Sequence, residues 1–477
     1  MIYISVILLY LFVLIGIGVV KSRKIKSQSD FALAGRSLTP WILVGTMLAT
    51  WIGTGSILGN AGKTYEIGMA ALLLPLGSIL GIALLTKIAG KVRNVKKFTV
   101  PEIIGDRYGS FARNLCVFAL VAAYMVIVSY QYNAGGAVIY TVFSNQVQSS
   151  FFTIEIATII AAIFIILYTM LAGLLSVAFT DAANGILMMI SLVIAFPILW
   201  IKAGGFNGME VAFDAMGKSS HMQYLGIFST VDIINFCLPP FLLVLGDANM
   251  YQRFSASKDH QSATKATIIL IFAVLIIELL IIASSWVSSS LIVNDEAGKY
   301  ILIYTAYELL PAILGAMMLA TIVGIIISTA DSFLLIPANT LIKDVYLKYI
   351  NENASEKKIV ALSRILVLLL GIIAYVVSIG FSKSAGFFER ALYAYTIYGA
   401  SITPTLLAAL FWKKSTKEGA VSSILSGIII TFLWKEIPTL WRWLPSELYN
   451  SLDEVLPAIL VSSIVLIVVS LFTQKNS

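Results

Sequence analysis

Residues 324–335 read GIIISTADSFLL and set four polar side chains inside a long apolar run. On a helix, positions 325, 328, 329 and 332 share one face by i, i+3, i+4, i+7 spacing, and Asp331 borders that face beside Ser328. The hydroxyls of Ser328, Thr329 and Ser332, with the Asp331 carboxylate, make an all-oxygen surface, the donor chemistry that suits a hard cation. A carboxylate at the centre of a membrane helix costs roughly 2.5–3.5 kcal/mol on insertion scales and calls for a compensating partner. Ser and Thr alone would read as bonding back to their own helix. The added Asp turns the reading toward a cation.

Three further segments break the apolar pattern. In LATWIGTGSILGNAG (48–62), Gly53, Gly55, Gly59 and Gly62 weaken the helix, and Thr54 and Ser56 offer hydroxyls. Such a span either unwinds, freeing carbonyls to line a cavity and coordinate cations, or simply packs closely through its small residues. In LAGLLSVAFTDAANG (171–185), Asp181 opens a span after a Gly-containing turn; on these residues alone it reads best as a helix cap. In PPFLLVLGDANMYQR (239–253), Pro239 and Pro240 predict a kink, and Gly246-Asp247-Ala248-Asn249 predicts an interruption. The plainer alternative ends the helix at Gly246 and leaves Asp247 in a loop.

These segments need a membrane scaffold to bring them together. Of 477 residues, 59% are hydrophobic and 12% charged, about half the charged fraction of a soluble domain, and the mean hydropathy is +0.93. The apolar blocks are continuous and reach spanning length, so the expectation is an all-α polytopic membrane protein; a porin-like barrel would alternate with period two. Thirteen spans are predicted, near 2–20, 39–61, 68–89, 114–142, 152–176, 178–202, 230–250, 266–293, 308–337, 360–381, 386–412, 418–435 and 454–473. Loops on one side, with the C-terminal tail, hold 24 of the 32 Lys and Arg. The positive-inside rule makes that side cytoplasmic, with the N-terminus outside and the C-terminus inside. The NAS sequon at 353–355 then lies inside and carries no glycan.

Spans 2 and 7 open two five-span blocks, 39–202 and 230–412, that start on opposite sides. The span at 2–20 precedes them and two more (418–473) come after, all within one transporter domain. Interrupted spans in corresponding positions of inverted halves point to a transporter with its site near the midplane. Other classes fit less well. The net charge of +7 is spread over short loops and is no nucleic-acid footprint. Cys116 and Cys237 sit in apolar runs and form no disulfide framework. His221 and His260 fall in loops on opposite sides, and no phosphate-binding loop is present, so neither a histidine-based enzyme nor a nucleotide-driven pump is expected. The opening MIYISVILLYLFVLIGIGVV lacks a basic leader and reads as the first span, and the chain ends soon after the last span without room for a catalytic domain.

In these residues the sequence resembles the sodium:solute symporter family, which has the leucine-transporter fold. The matching elements are DFALAGRSL (30–38), ATWIGTGSILGNAG, LYTMLAGLLSVAFTDAANG, YQRF and ISTADSFLLIPANTLIKDVY, in family order over about residues 3–415. ATWIG and STADS most resemble the choline-transporter branch. The resemblance implies a sodium site built from backbone oxygens at Ala49, Ile52 and Ile325 and from the hydroxyls of Ser328 and Thr329. It implies a second cation position at Asp181, Asp331 and Ser332 beside Ser328; Asp331 stands where such members often carry a hydroxyl, which either strengthens that site or substitutes a proton.

The same resemblance implies a central solute site against spans 2 and 7, facing spans 4 and 11. Its candidates are Trp51, Gln131, Asp247, Asn249 and Tyr395, with Tyr130, Tyr132, Asn133, Tyr393 and Tyr398 nearby. Trp51 matches an aromatic of the choline branch, but Ile127 and Asp247 replace two of its tryptophans. Asp247 suits an amine-bearing solute. The expected function is Na+-coupled symport of a small organic solute by alternating access, an amino acid such as proline or another small nitrogenous compound. The alternatives are a Na+-independent facilitator, or a choline, pantothenate or sugar symporter. The expected setting is a plasma (inner) membrane, with Na+, the solute and the lipid bilayer as partners and a monomer sufficing.

Overall fold

The computed structural model describes residues 2–22, 27–95, 97–144, 152–226, 228–293, 295–381 and 386–474. Arg23, Lys24, Lys26 and Lys96 of the expected cytoplasmic loops, and Lys475 of the tail, lie outside them. The described residues are helical, joined by turns and one isolated bridge between Leu38 and Ser257. Numbering the long helices and the halves of the broken ones, they are α1 (Ile2–Ser22), α2 (Pro40–Trp51), α3 (Gly55–Leu73), α4 (Leu76–Val95), α5 (Ser110–Ser144), α6 (Ile154–Leu171), α7 (Ser176–Lys202) and α8 (Thr230–Gly246). The rest are α9 (Ala248–Ala256), α10 (His260–Ser289), α11 (Ala312–Thr340), α12 (Glu356–Phe381), α13 (Phe387–Phe411), α14 (Lys417–Glu436) and α15 (Val455–Thr473).

Among the described residues, ten helices are long and apolar enough to cross a membrane, or eleven with the bent pair α2–α3 as one span. The expected thirteen are not reached on that measure. The apolar part of α1 is short, Ile2–Ile17. The 20-residue α4 carries Lys87, Lys91 and Arg93 in its last turns, which lowers its apolarity.

Three breaks shape the molecule. The first lies between α2 and α3: Ile52 is non-helical at φ −76°, ψ 83°, Gly53 is next, and α3 restarts with a wide turn over Gly55–Asn60, bent 52° from α2. The expected unwinding at the glycine cluster is therefore present. The second lies at Asp247 (φ −59°, ψ 116°), between α8 and α9. Pro239 and Pro240 stay inside α8, so the interruption falls at the Gly-Asp pair and not at the prolines. The third is Gly173, at φ 60° and ψ 167°, between α6 and α7. The expected boundary, between 176 and 178, is a few residues late, because the backbone turns where glycine permits a conformation closed to other residues.

Carbonyls freed by a break inside a membrane need new donors. At the second break, Tyr398 donates to Gly246 O (2.8 Å), Tyr251 to Leu245 O (3.0 Å) and Thr403 to Leu242 O (2.8 Å). The two broken helices run in opposite senses. Leu38, just before α2, pairs with the chain leaving α9: Leu38 N donates to Ala256 O (3.2 Å) and Lys258 N to Leu38 O (3.0 Å). Capping boxes, Ser27 with Asp30 and Ser229 with Asp232, satisfy the first amides of the short helix Gln28–Leu33 and of α8.

Helix α11 is the axis of the bundle. Of its most apolar window, 83% is buried, against 28% for α15 at the periphery. It packs against α1, α5, α6–α7 and α12. It starts after Pro311 and runs past the expected end at 337, through Pro337 and a continuing wide-turn segment to Ile350. The outer helices expose large apolar side chains, such as Leu9 and Phe12 on α1 and Phe472 on α15, as lipid-facing surfaces do.

Candidate functional site

The first break brings α2 against α11. Thr329 Oγ1 donates to the Ala49 carbonyl at 3.2 Å. Gly53 lets the backbones close: a Cβ there would lie 2.9 Å from both Oγ1 and Cγ2 of Thr329. Ala49, Ile52, Ile325, Ser328 and Thr329 are all buried at this junction. Of the residues expected to form the sodium site, the structure joins Thr329 on α11 directly to the Ala49 carbonyl at the end of α2, while the Ser328 hydroxyl donates to Asp181.

One layer from Thr329, Asp181 on α7 accepts from Ser328 Oγ and from Thr46 Oγ1 (2.6 Å). Arg253 of α9 reaches the same carboxylate at 3.6 Å, with both side chains fully buried. Its guanidinium also donates to Ser332 Oγ (2.7 Å), Thr46 Oγ1 (3.1 Å) and Asn249 O (3.3 Å). Thr50 Oγ1 lies 3.3 Å from Ser332 Oγ. The set expected to hold a second cation is therefore divided. Asp181 and Ser332 surround the Arg253 guanidinium, a cation belonging to the chain itself. Asp331 turns toward α6, where Thr169 Oγ1 donates to its Oδ1, and its Oδ2 is buried without a hydrogen-bond partner.

The solute candidates also divide. Trp51 and Tyr395 stack with ring centroids 6.4 Å apart and line two adjoining cavities. The smaller, about 260 Å³, is lined by Thr50, Gly53, Tyr130, Gln131 and Thr329, so it abuts the oxygen cluster. Gln131 accepts from Thr54 Oγ1, and its Nε2 has no protein partner. The larger, about 430 Å³ of unfilled space, extends past Ser56, Asn60 and Glu278 toward Phe236 and Phe388. Asp247 and Asn249 line neither cavity. Asp247 Oδ1 accepts from Tyr124 OH, Asn249 N (3.1 Å) and Asn249 Nδ2 (3.3 Å), so the carboxylate caps α9. Asn133 and Tyr132 face α12: Asn133 Nδ2 donates to Ser378 O (3.4 Å), and Gly371 packs by the Tyr132 hydroxyl.

Glu278 lies within the predicted span 266–293 and carries the signal of an ionisable residue in a membrane segment without being among the candidates; Arg253 falls beyond the predicted end of span 7 at 250, whereas the structure sets it on α9. Thr46 and Thr169 carried no such signal, because isolated threonines in apolar helices are common and their partners lie on distant helices.

The family model described as "Sodium:solute symporter family" matches residues 31–427. The sodium/proline symporter of Escherichia coli (strain K12) is 24% identical, covering 98% of this chain and 92% of its own length. That of Haemophilus influenzae is 25% identical, covering 98% and 94%. A Na+-coupled sialic acid symporter in a substrate-bound outward-open state superposes with a TM-score of 0.81 at 16% identity, covering 99% of this chain and 98% of that one. A nucleobase-cation-symport-1 family transporter gives 0.59 at 11%, covering 94% and 96%. At these identities the structural likeness is one of fold.

Proposed function

The chain belongs to the sodium:solute symporter family, and from that membership we propose that it uses Na+ entry to drive uptake of a small nitrogenous solute, an amino acid such as proline being the first candidate. Na+ is the coupling ion. The observation that carries the reading is the Thr329 hydroxyl on the Ala49 carbonyl, where a broken helix meets the central helix. In the proposed site the carbonyls of Ala49, Ile52 and Ile325 and the hydroxyls of Ser328 and Thr329 hold Na+. Neutral oxygens from two elements give the ion a different affinity in each arrangement of those elements, and a ligand shifts an equilibrium only through that difference. Na+ thereby favours the arrangement in which Trp51, Gln131 and Tyr395 receive the solute. The membrane potential adds roughly 2.3 kcal/mol per charge per 100 mV. Asp331, with Asp181 and Ser332 nearby, is the proposed second cation or proton position. The names of the sodium/proline symporters support an amino-acid solute. The carrier is placed in a plasma membrane, and the distribution of Lys and Arg supports an N-terminus outside.

Ser328→Ala and Thr329→Ala each remove one ligand oxygen. Each should raise the Na+ concentration for half-maximal uptake by about 5- to 30-fold, the equivalent of roughly 1–2 kcal/mol for a lost polar contact. Unchanged half-saturation in both variants would remove the sodium-site assignment.

A further inference from the structure

We propose that Glu278 is the docking point for a positively charged nitrogen on the transported solute, so that the carrier selects cationic amines over their uncharged counterparts. The inference rests on the reading above only in taking the larger cavity as a solute site.

Glu278 stands in the middle of α10 and is 2% exposed. Its two oxygens accept from Ser56 Oγ (2.6 Å) and Asn60 Nδ2 (3.0 Å), both on the wide turn that opens α3. These donors are neutral. They fix the carboxylate in place and leave its charge uncompensated. None of the ion pairs among the described residues involves Glu278. Asp181 has Arg253 and Asp344 has Arg113 as cationic neighbours; Asp331, like Glu278, is buried and in none of these ion pairs, but it lines neither cavity. Lys63, which lies over Phe236 and Phe388, is paired with Glu66 at 2.8 Å.

Among the described residues, Glu278 is also the only charged one lining the larger cavity, and the stacked rings of Trp51 and Tyr395 line that same cavity. A carboxylate opposite aromatic faces attracts cations twice, by charge and by the ring quadrupole. No described Lys or Arg lines that cavity to receive an anion. Asp247, the acid expected from the sequence to meet an amine, is engaged at the α9 cap and faces neither cavity. The positive end of a solute entering the larger cavity therefore has one counter-charge available. Because Ser56 and Asn60 belong to the broken helix, occupation of this site bears directly on the element that carries Ala49 and Ile52.

The test uses the purified full-length protein in nanodiscs and matched probes. Choline is compared with 3,3-dimethylbutan-1-ol, and L-prolinamide with cyclopentanecarboxamide. At least one cationic member should bind about tenfold or more tightly than its uncharged partner. Glu278→Gln should erase that preference, and Glu278→Asp, which keeps the charge, should retain it even if overall affinity falls. Na+ binding measured without solute should stay within about twofold of the parent in both variants. No binding of either cationic probe, or a preference that survives in Glu278→Gln, overturns the proposal. Should Glu278→Gln fail to fold, loss of the preference in a folded Glu278→Asp variant overturns it. Na+ dependence of uptake is scored separately. A Glu278-dependent preference without Na+ coupling removes the symport reading alone, and Na+-driven uptake indifferent to charge at 278 removes this inference alone.

Discussion

Arg253 and Asp181 meet at 3.6 Å with no exposed surface on either side chain, and the hydroxyls of Thr46, Ser328 and Ser332 complete the group. Removing one partner of such a pair leaves a buried charge without compensation, which costs about 3–5 kcal/mol, whereas removing both is far milder. Arg253→Met should therefore lower the thermal unfolding midpoint in detergent sharply, and Arg253→Met with Asp181→Asn should recover most of the loss. Equal destabilisation by the single and double variants would show that the guanidinium acts by packing alone. The sequence made one half of this group legible. Ser328, Thr329 and Ser332 share a face because helical spacing is local. The guanidinium that meets Ser332 comes from the far side of a second break, and no local spacing reports on that. Glu278 was equally hard to place, since its two donors lie on another helix more than 200 residues earlier.

The elements work through their interruptions. Gly53 sits where α2 gives way to α3, and a methyl group there would press on Thr329 at 2.9 Å. Gly53→Ala should push α11 from the break and weaken Na+ half-saturation by about tenfold or more, although it removes no ligand atom; an ordinary Na+ dependence in this variant would mean that the close approach has no role. Gly173, at φ 60° and ψ 167°, turns the chain between α6 and α7 in a conformation that costs other residues about 1–3 kcal/mol. Gly173→Ala should lower the unfolding midpoint and leave the Na+ dependence of the remaining folded carrier intact. A midpoint equal to the parent's would show that the turn relaxes freely. The glycine cluster of span 2 and the Gly-Asp pair of span 7 announced two breaks correctly. Pro239 and Pro240 lie within α8, and the chain parts at Asp247, whose side chain caps α9.

At the scale of the whole molecule, the two broken helices, α2–α3 and α8–α9, both pack beside the central α11. The Leu38–Ser257 bridge fixes the start of one broken helix against the end of the other. The fold class was readable because hydropathy, loop charge and the positions of the glycine-rich interruptions are all properties of the chain in order. The span count was harder, since a short α1 and a basic end on α4 blur the line between a crossing helix and a buried one. In the proposed cycle Na+, held where the first break meets α11, drives solute movement. The most direct measurement is uptake into proteoliposomes of a radiolabelled panel (L-proline, other amino acids, choline, pantothenate, sugars and sialic acid), with an inward Na+ gradient or with K+ in its place. Accumulation of a nitrogenous solute is expected with Na+ only, and with a higher Na+ requirement in Thr329→Ala. Equal uptake with K+ would contradict it and make the protein a facilitator.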